Sequence, residues 1–215
     1  MEADAEQHWE RVYTRLEPDK VGWYREHLDK SLELIQGSIP QSERASAHVV
    51  DAGGGSSSLA ADLLQCGFAT ITVADISAQS LAVAQRRLGE RAEHVTWRVG
   101  DLLEMTWPEE SVRVWHDRAV FHFLTDSAHQ EHYLRTMHGA LQHGGLTVIG
   151  VFSDRAPAKC SGLPVQRYTH ESLHALFKRH SFAMVSQHEE EHHTPGGLSQ
   201  PYIYGVFAPT KDSGA

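Results

Sequence analysis

The chain has 215 residues, with 19 Lys plus Arg against 28 Asp plus Glu and a formal net charge of -9. That length suits one mid-sized domain with a full core, and an acidic chain with no long basic run argues against nucleic acid as a partner. Cys66 and Cys160 are the only cysteines, too few for a disulfide framework and without metal-ligand spacing, which suits a reducing compartment and predicts no metal site.

In chain order, the first 47 residues carry two helical pieces, "EQHWERVYTRL" and "WYREHLDKSLELI", separated by a turn at Pro18 and Gly22. They could cap the open end of a sheet. The segment "MEADAEQHWERVY" lacks the build of a signal or transit peptide, so the expected location is cytoplasmic. Short β-rich runs follow at "HVVDAG", "TITVAD", "HVTWRVGD", "VRVWHD" and "LTVIGVF". The last, the longest apolar stretch, is far short of the ~20 residues that span a bilayer, so no membrane partner is expected.

Helical stretches lie between the strands at 56–65, 80–88 and 127–141, with Ser77 and Asp126 as N-cap candidates and Gly67, Gly89 and Gly144 as stops. Strands alternating with helices predict crossover units and a parallel sheet. After Phe152 a loop leads to a helix near "THESLHALFKRH". Two runs, Phe182–His192 and Pro201–Phe207, then read as an antiparallel pair at a sheet edge, and "TKDSGA" as a frayed tail.

The chemistry centres on "VVDAGGGSSSLAADLL", residues 49–64. A glycine-rich turn between a first strand and a helix brings backbone N–H groups close to a polar or anionic ligand. A phosphate loop would end in Lys-Ser or Lys-Thr, which "GGGSSSLA" lacks, and a dinucleotide fingerprint would place glycine where Ser58 stands. A tight loop without ligand is the plain alternative. The second strand, however, ends in Asp75, about 20 residues beyond the glycines, where such folds hold ribose hydroxyls, and the third ends in Asp101. One such acid could be a helix cap; three along one sheet edge with Asp51 read as a site.

With these motifs the sequence resembles the class I S-adenosylmethionine-dependent methyltransferases over roughly residues 45–208. The resemblance implies an α/β fold: a doubly wound, mostly parallel seven-stranded sheet with an antiparallel last strand. It implies a single domain over 1–215, made of a helical cap (1–47), a cofactor-binding core (48–152), a substrate-side loop, helix and strand pair (153–208) and a tail (209–215). "VVDAGGGSS" looks like the D-x-G-x-G turn, placing Asp51, Gly53, Gly54 and Gly55 beside the methionine part of S-adenosylmethionine. Asp75 is similar to the ribose-binding acid, with Ile76 beside the adenine, and Asp101 and Leu102 match the adenine-facing position. The N-terminal "HWERVY…VGWY" is similar to a branch of protein-lysine methyltransferases, although that branch tends to carry "DKG" where this chain has "HDRAVFHF".

The cofactor's sulfonium already activates the methyl group, so positioning and desolvation are the protein's main tasks, in a direct in-line displacement. A base is needed only for an acceptor protonated at neutral pH, such as a lysine. The candidates at the reacting centre are His116, Asp117 and His122, with Phe121, Cys160 and Tyr168 near the acceptor and His116 also near the cofactor. Any of the 16 histidines can equally be an ordinary hydrogen-bonded residue, and Cys160 a small hydrophobe. Trp23 and Tyr24 read either as an aromatic lid over the cofactor or as anchors of the N-terminal helix. "HEEEHH", 188–193, would place His188, Glu190 and His192 on one face of a strand and reads as a charged guard on an edge rather than a metal site.

The expected function is methyl transfer to a small-molecule acceptor, leaving S-adenosylhomocysteine. Protein-lysine N-methylation is the alternative, and a non-catalytic or nicotinamide-binding module the alternative of another class.

Overall fold

The structure is a computed structural model that describes residues 2–15, 17 and 19–210. Its strands are β1 (His48–Ala52), β2 (Thr70–Asp75), β3 (Val95–Val99), β4 (Val112–Arg118), β5 (Leu141–Phe152), β6 (Lys159–Cys160), β7 (Leu163–Pro164), β8 (Phe182–His193) and β9 (Ser199–Pro209). The helices are α1 (Glu2–Arg15), α2 (Asp29–Ser38), α3 (Leu59–Gln65), α4 (Ala78–Leu88), α5 (Ser127–Ala140) and α6 (His170–Arg179).

Seven strands form one sheet in the order β3-β2-β1-β4-β5-β9-β8. The first five run parallel, and β9 enters antiparallel to both β5 and β8. The fold class read from the sequence is the one observed. Alternation along β1 sends Val49 to one face and Val50 to the other, both fully buried. On the Val49 face Ile35, Leu63, Phe68 and Leu81 close the core; on the Val50 face Leu134, Met137, Leu173 and Phe177 do so. Burial on both faces is what a parallel sheet with helices on either side requires.

The expected caps form: Ser77 accepts from the Ser80 N–H, and Asp126 accepts from Ala128 and His129 N–H. Gly89 closes α4 at φ 60. Gly144 closes no helix, because α5 already ends at Ala140 and β5 begins at Leu141. Gly144 instead sits inside β5 at φ +72, beside the register irregularity between Val112 and Val114. A Cβ on the adjoining Gly145 would lie 2.8 Å from the Gln142 carbonyl oxygen, so the pair serves a tight backbone approach.

Two predicted helices start late. α3 begins at Leu59 rather than at 56, because the turn continues through the serines, with Ser57 N–H donating to the Gly54 carbonyl. α2 begins at Asp29 rather than at Trp23, because the backbone of 22–23 is held by distant side chains. The Gly22 carbonyl bonds to His192 and the Trp23 carbonyl accepts from Arg118. Pro18 and the tail 211–215 lie outside the described residues. On β8, Glu190 and His192 point inward and Glu189, Glu191 and His193 outward, as the alternation predicts. No helix among the described residues is long and apolar enough to cross a membrane.

Candidate active site

The glycine turn follows β1 and crosses beneath the end of β2: Gly53 and Gly54 N–H both donate to the Ala74 carbonyl, at 2.7 and 3.2 Å. Gly53 has φ +68, and a Cβ there would collide with the Val120 side chain. Gly55 has φ +54, and a Cβ there would lie 2.6 Å from the Tyr13 hydroxyl and 3.5 Å from the Asp75 carboxylate. A side chain at Gly54 would strike the Asp51 carboxylate. The run of three glycines is thus required by crowding as well as by backbone angle.

The acids divide by task. Asp75, at the end of β2, accepts the Ser77 N–H at 2.8 Å and lines a large cleft; burial pushes its carboxyl up to about 6. Asp101, just past β3, accepts the Leu103 N–H at 2.9 Å and lines the same cleft together with Ile76, Leu102 and Gly53. Asp51 is buried and faces inward, its Oδ1 2.7 Å from Nδ1 of His116.

His116 carries that contact onward, with its Nε2 2.9 Å from the Ser31 hydroxyl of α2. A carboxylate only accepts, so in the neutral ring Nδ1–H donates to Asp51 and Nε2 accepts from Ser31. Ser31 is fully buried and lines no part of the cleft, so this Ser-His-Asp series is a strut joining α2 to the end of β1.

Asp117 is also fully occupied. Its Oδ1 accepts Val120 and Phe121 N–H at 3.1 Å each, and its Oδ2 accepts the Tyr133 hydroxyl at 2.6 Å. Burial pushes its carboxyl up to about 6. His122 is buried, its Nδ1 accepts the Phe152 N–H at 3.3 Å, and burial followed by the nearby Arg118 charge holds it down at about 3. A neutral imidazole whose lone pair is engaged is a weak base. Burial likewise pushes the Cys160 thiol up to about 11. Phe121 and Tyr168 stack on each other at 6.0 Å, and the Tyr168 hydroxyl accepts from Gln130 at 3.1 Å.

The cleft, of about 800 Å³, runs from Asp75 and Asp101 past Gly53 to Phe123, Cys160, Leu163 and Pro164. Its roof includes Trp9 and Tyr13 of α1 and Trp23, with the Trp9 ring 5.6 Å from Trp23 and 5.1 Å from Phe123. Trp23 therefore stands at the cleft, whereas Tyr24 packs under the Arg87 guanidinium at 5.8 Å. Sequence reasoning missed Trp9, Tyr13 and Arg118. The i, i+4 aromatic spacing on α1 was the available signal for the first two, and a cation at the carboxyl end of β4, beside the glycine turn of β1, the signal for the third.

The size and donor set of the cleft suit a nucleoside bearing an amino acid: carboxylates at one end, a glycine turn at mid-length, apolar walls beyond. Residues 49–145 match the family model of a methyltransferase domain. No curated protein matches by sequence. Among solved structures, the chain is similar to the protein of "Conversion of a Disulfide Bond into a Thioacetal Group during Echinomycin Biosynthesis", with TM-score 0.75 and 20% identity over 97% of this chain and 94% of that one. It is similar to the Burkholderia thailandensis 1,6-didemethyltoxoflavin-N1-methyltransferase, bound there to 1,6-didemethyltoxoflavin and S-adenosylhomocysteine, with TM-score 0.66 and 18% identity over 97% and 89%. A methyltransferase from Anabaena variabilis gives TM-score 0.69 and 16% identity over 96% and 94%. These likenesses show a shared fold, that of S-adenosylmethionine-dependent methyltransferases, and the methyltransferase-domain match falls on the part of it that runs from β1 into β5.

Proposed function

We propose that the protein transfers a methyl group to a small-molecule acceptor by direct in-line displacement. The observation that carries this reading is the roofed cleft of about 800 Å³, within the range of small-ligand sites. S-adenosylmethionine supplies an activated methyl group on a sulfonium. Asp75 would accept the ribose hydroxyls, Asp101, Ile76 and Leu102 would border the adenine, and Gly53–Gly55 would face the methionine part. Trp9, Trp23 and Phe123 would exclude water from the transfer.

His116 and Asp117, expected from sequence near the reacting atoms, would act one layer back: His116 holds Asp51, and Asp117 holds the turn that carries Val120. His122, fully buried against Phe123, would back the wall without moving a proton. A lysine ammonium would need a group to take its proton, and the lone pairs of these three residues are already engaged, so the small acceptor is favoured over a protein lysine.

The test is to incubate the protein with methyl-labelled S-adenosylmethionine and, separately, a small-metabolite fraction and a protein fraction, and to follow the label by mass spectrometry. Label in small molecules alone is expected. Label confined to lysines of proteins would overturn the reading.

A further inference from the structure

Arg118 closes β4 and is 8% exposed, yet among the described residues it is the one Lys or Arg side chain lining the large cleft. It also borders a cavity of about 40 Å³ under the glycine turn. Its position is fixed on three sides. Nε donates to the Tyr204 hydroxyl at 3.0 Å, Nη1 donates to the Trp23 carbonyl at 3.3 Å, and the guanidinium lies over the Tyr202 ring at 4.4 Å. Nη2 is buried without a hydrogen bond, although Glu190 Oε2 stands at ion-pair distance, 3.6 Å.

Charge sharpens this. Glu190 is shared: Arg25 reaches its Oε1 at 3.2 Å, and the Tyr204 hydroxyl donates to its Oε2 at 3.0 Å. Two guanidinium groups face one carboxylate, which leaves a surplus of one positive charge at a water-poor site. The carboxylates that do line the cleft, Asp75, Asp101 and Asp126, are tied to backbone N–H groups of their own turns. A fixed guanidinium whose Nη2 lacks a hydrogen-bond acceptor and a full counter-charge is a ready anion partner, and a surplus of one matches a monoanion.

We infer that Arg118 anchors an ionised carboxylate of the methyl acceptor, so that the acceptor is a small organic acid whose apolar or aromatic body lies against Phe123, Trp9 and Leu163. The inference rests on the small-acceptor reading above. The competing claimant for the same edge is the cofactor's own carboxylate, and the experiment separates the two.

Phenylacetate and 3-phenylpropionate, each against its neutral amide, are titrated calorimetrically into the protein saturated with S-adenosylhomocysteine. Each acid is expected to bind at least about tenfold tighter than its amide. In Arg118→Met that preference should fall to about one while S-adenosylhomocysteine affinity stays within about twofold. Glu190→Gln, which removes the rival carboxylate, should strengthen acid binding several-fold, a gain that a merely structural arginine would not produce. Equal binding of acid and amide by the wild-type complex, or failure of both acids to bind, overturns the anchor and stands even if Arg118→Met fails to fold. Loss of S-adenosylhomocysteine affinity in a folded Arg118→Met reassigns the edge to the cofactor and also overturns it. A wild-type protein that does not bind S-adenosylhomocysteine fails the underlying reading itself.

Discussion

The two halves of the cleft are built differently. On the side of β1–β3, acids and glycines sit on consecutive strand ends and are held by backbone groups: Asp75 by Ser77 and Asp101 by Leu103 within their own turns, Gly53 by Ala74 of the neighbouring β2. On the side of β4, β5 and β9, Arg118 at the wall is held by side chains far away in sequence, Tyr204 and Tyr202, and His116 behind it by Asp51 and Ser31. Local construction gives a site that one short motif can encode, whereas long-range construction leaves no such motif in the sequence.

The largest effect that would break this contrast is expected at the glycine turn. Gly53→Val combines a positive φ, costing roughly 1–2 kcal/mol for an L side chain, with overpacking against Val120, costing roughly 1–3 kcal/mol. Urea unfolding should show a loss of that combined size and S-adenosylhomocysteine binding should vanish. A stable variant with normal affinity would mean that the turn is not crowded as described.

A smaller loss is expected from Ser31→Ala, which leaves His116 Nε2 buried without a donor, at roughly 1–3 kcal/mol of stability. Cofactor affinity should change less than stability, because Ser31 reaches the turn only through His116 and Asp51. A variant as stable as wild type would dissolve the strut.

The smallest effect is a pH slope. Burial raises the native carboxyl of Asp117 to about 6, above the ~3.9 of an unfolded aspartate. Between these values the native state binds more protons than the unfolded one, so this group's contribution to stability falls as pH rises from about 4 to about 6. Asp117→Asn should remove that slope, so that the stability of wild type relative to the variant is greatest near pH 4 and declines toward pH 7. Unfolding curves across that range check it; parallel curves would remove the burial argument. Turnover should meanwhile be flat above neutral pH, since none of His116, Asp117 and His122 offers a free basic site.

Much of the sheet was legible because each parallel strand is a short apolar run bounded by turn residues, and Ser77 and Asp126 cap by contacts within three residues. The residues proposed for the cofactor were legible for the same reason: Gly53, Asp75 and Asp101 stand at strand ends that periodicity locates. The proposed acceptor side was not. Nothing local in "WHDR" tells that His116 faces Asp51 and Ser31 while Arg118 faces the cleft, since that depends on where α2, β8 and β9 come to rest. The late start of α2 has the same origin, a carbonyl pair at 22–23 claimed by residues more than 90 positions away.

In the proposed binding mode β2 supplies the ribose contact through Asp75. The direct measurement is calorimetric titration of S-adenosylhomocysteine, with NADH as the competing ligand, into wild type and Asp75→Ala at pH 7.5 and pH 5.5. Wild type should bind S-adenosylhomocysteine and not NADH, more weakly at pH 5.5 because the Asp75 carboxyl, raised to about 6, is then largely protonated. Asp75→Ala should lose roughly 1.5–3 kcal/mol of binding at pH 7.5, the worth of hydrogen bonds to a charged group, together with most of that pH dependence. NADH binding by wild type, or a folded Asp75→Ala with unchanged affinity, would contradict it.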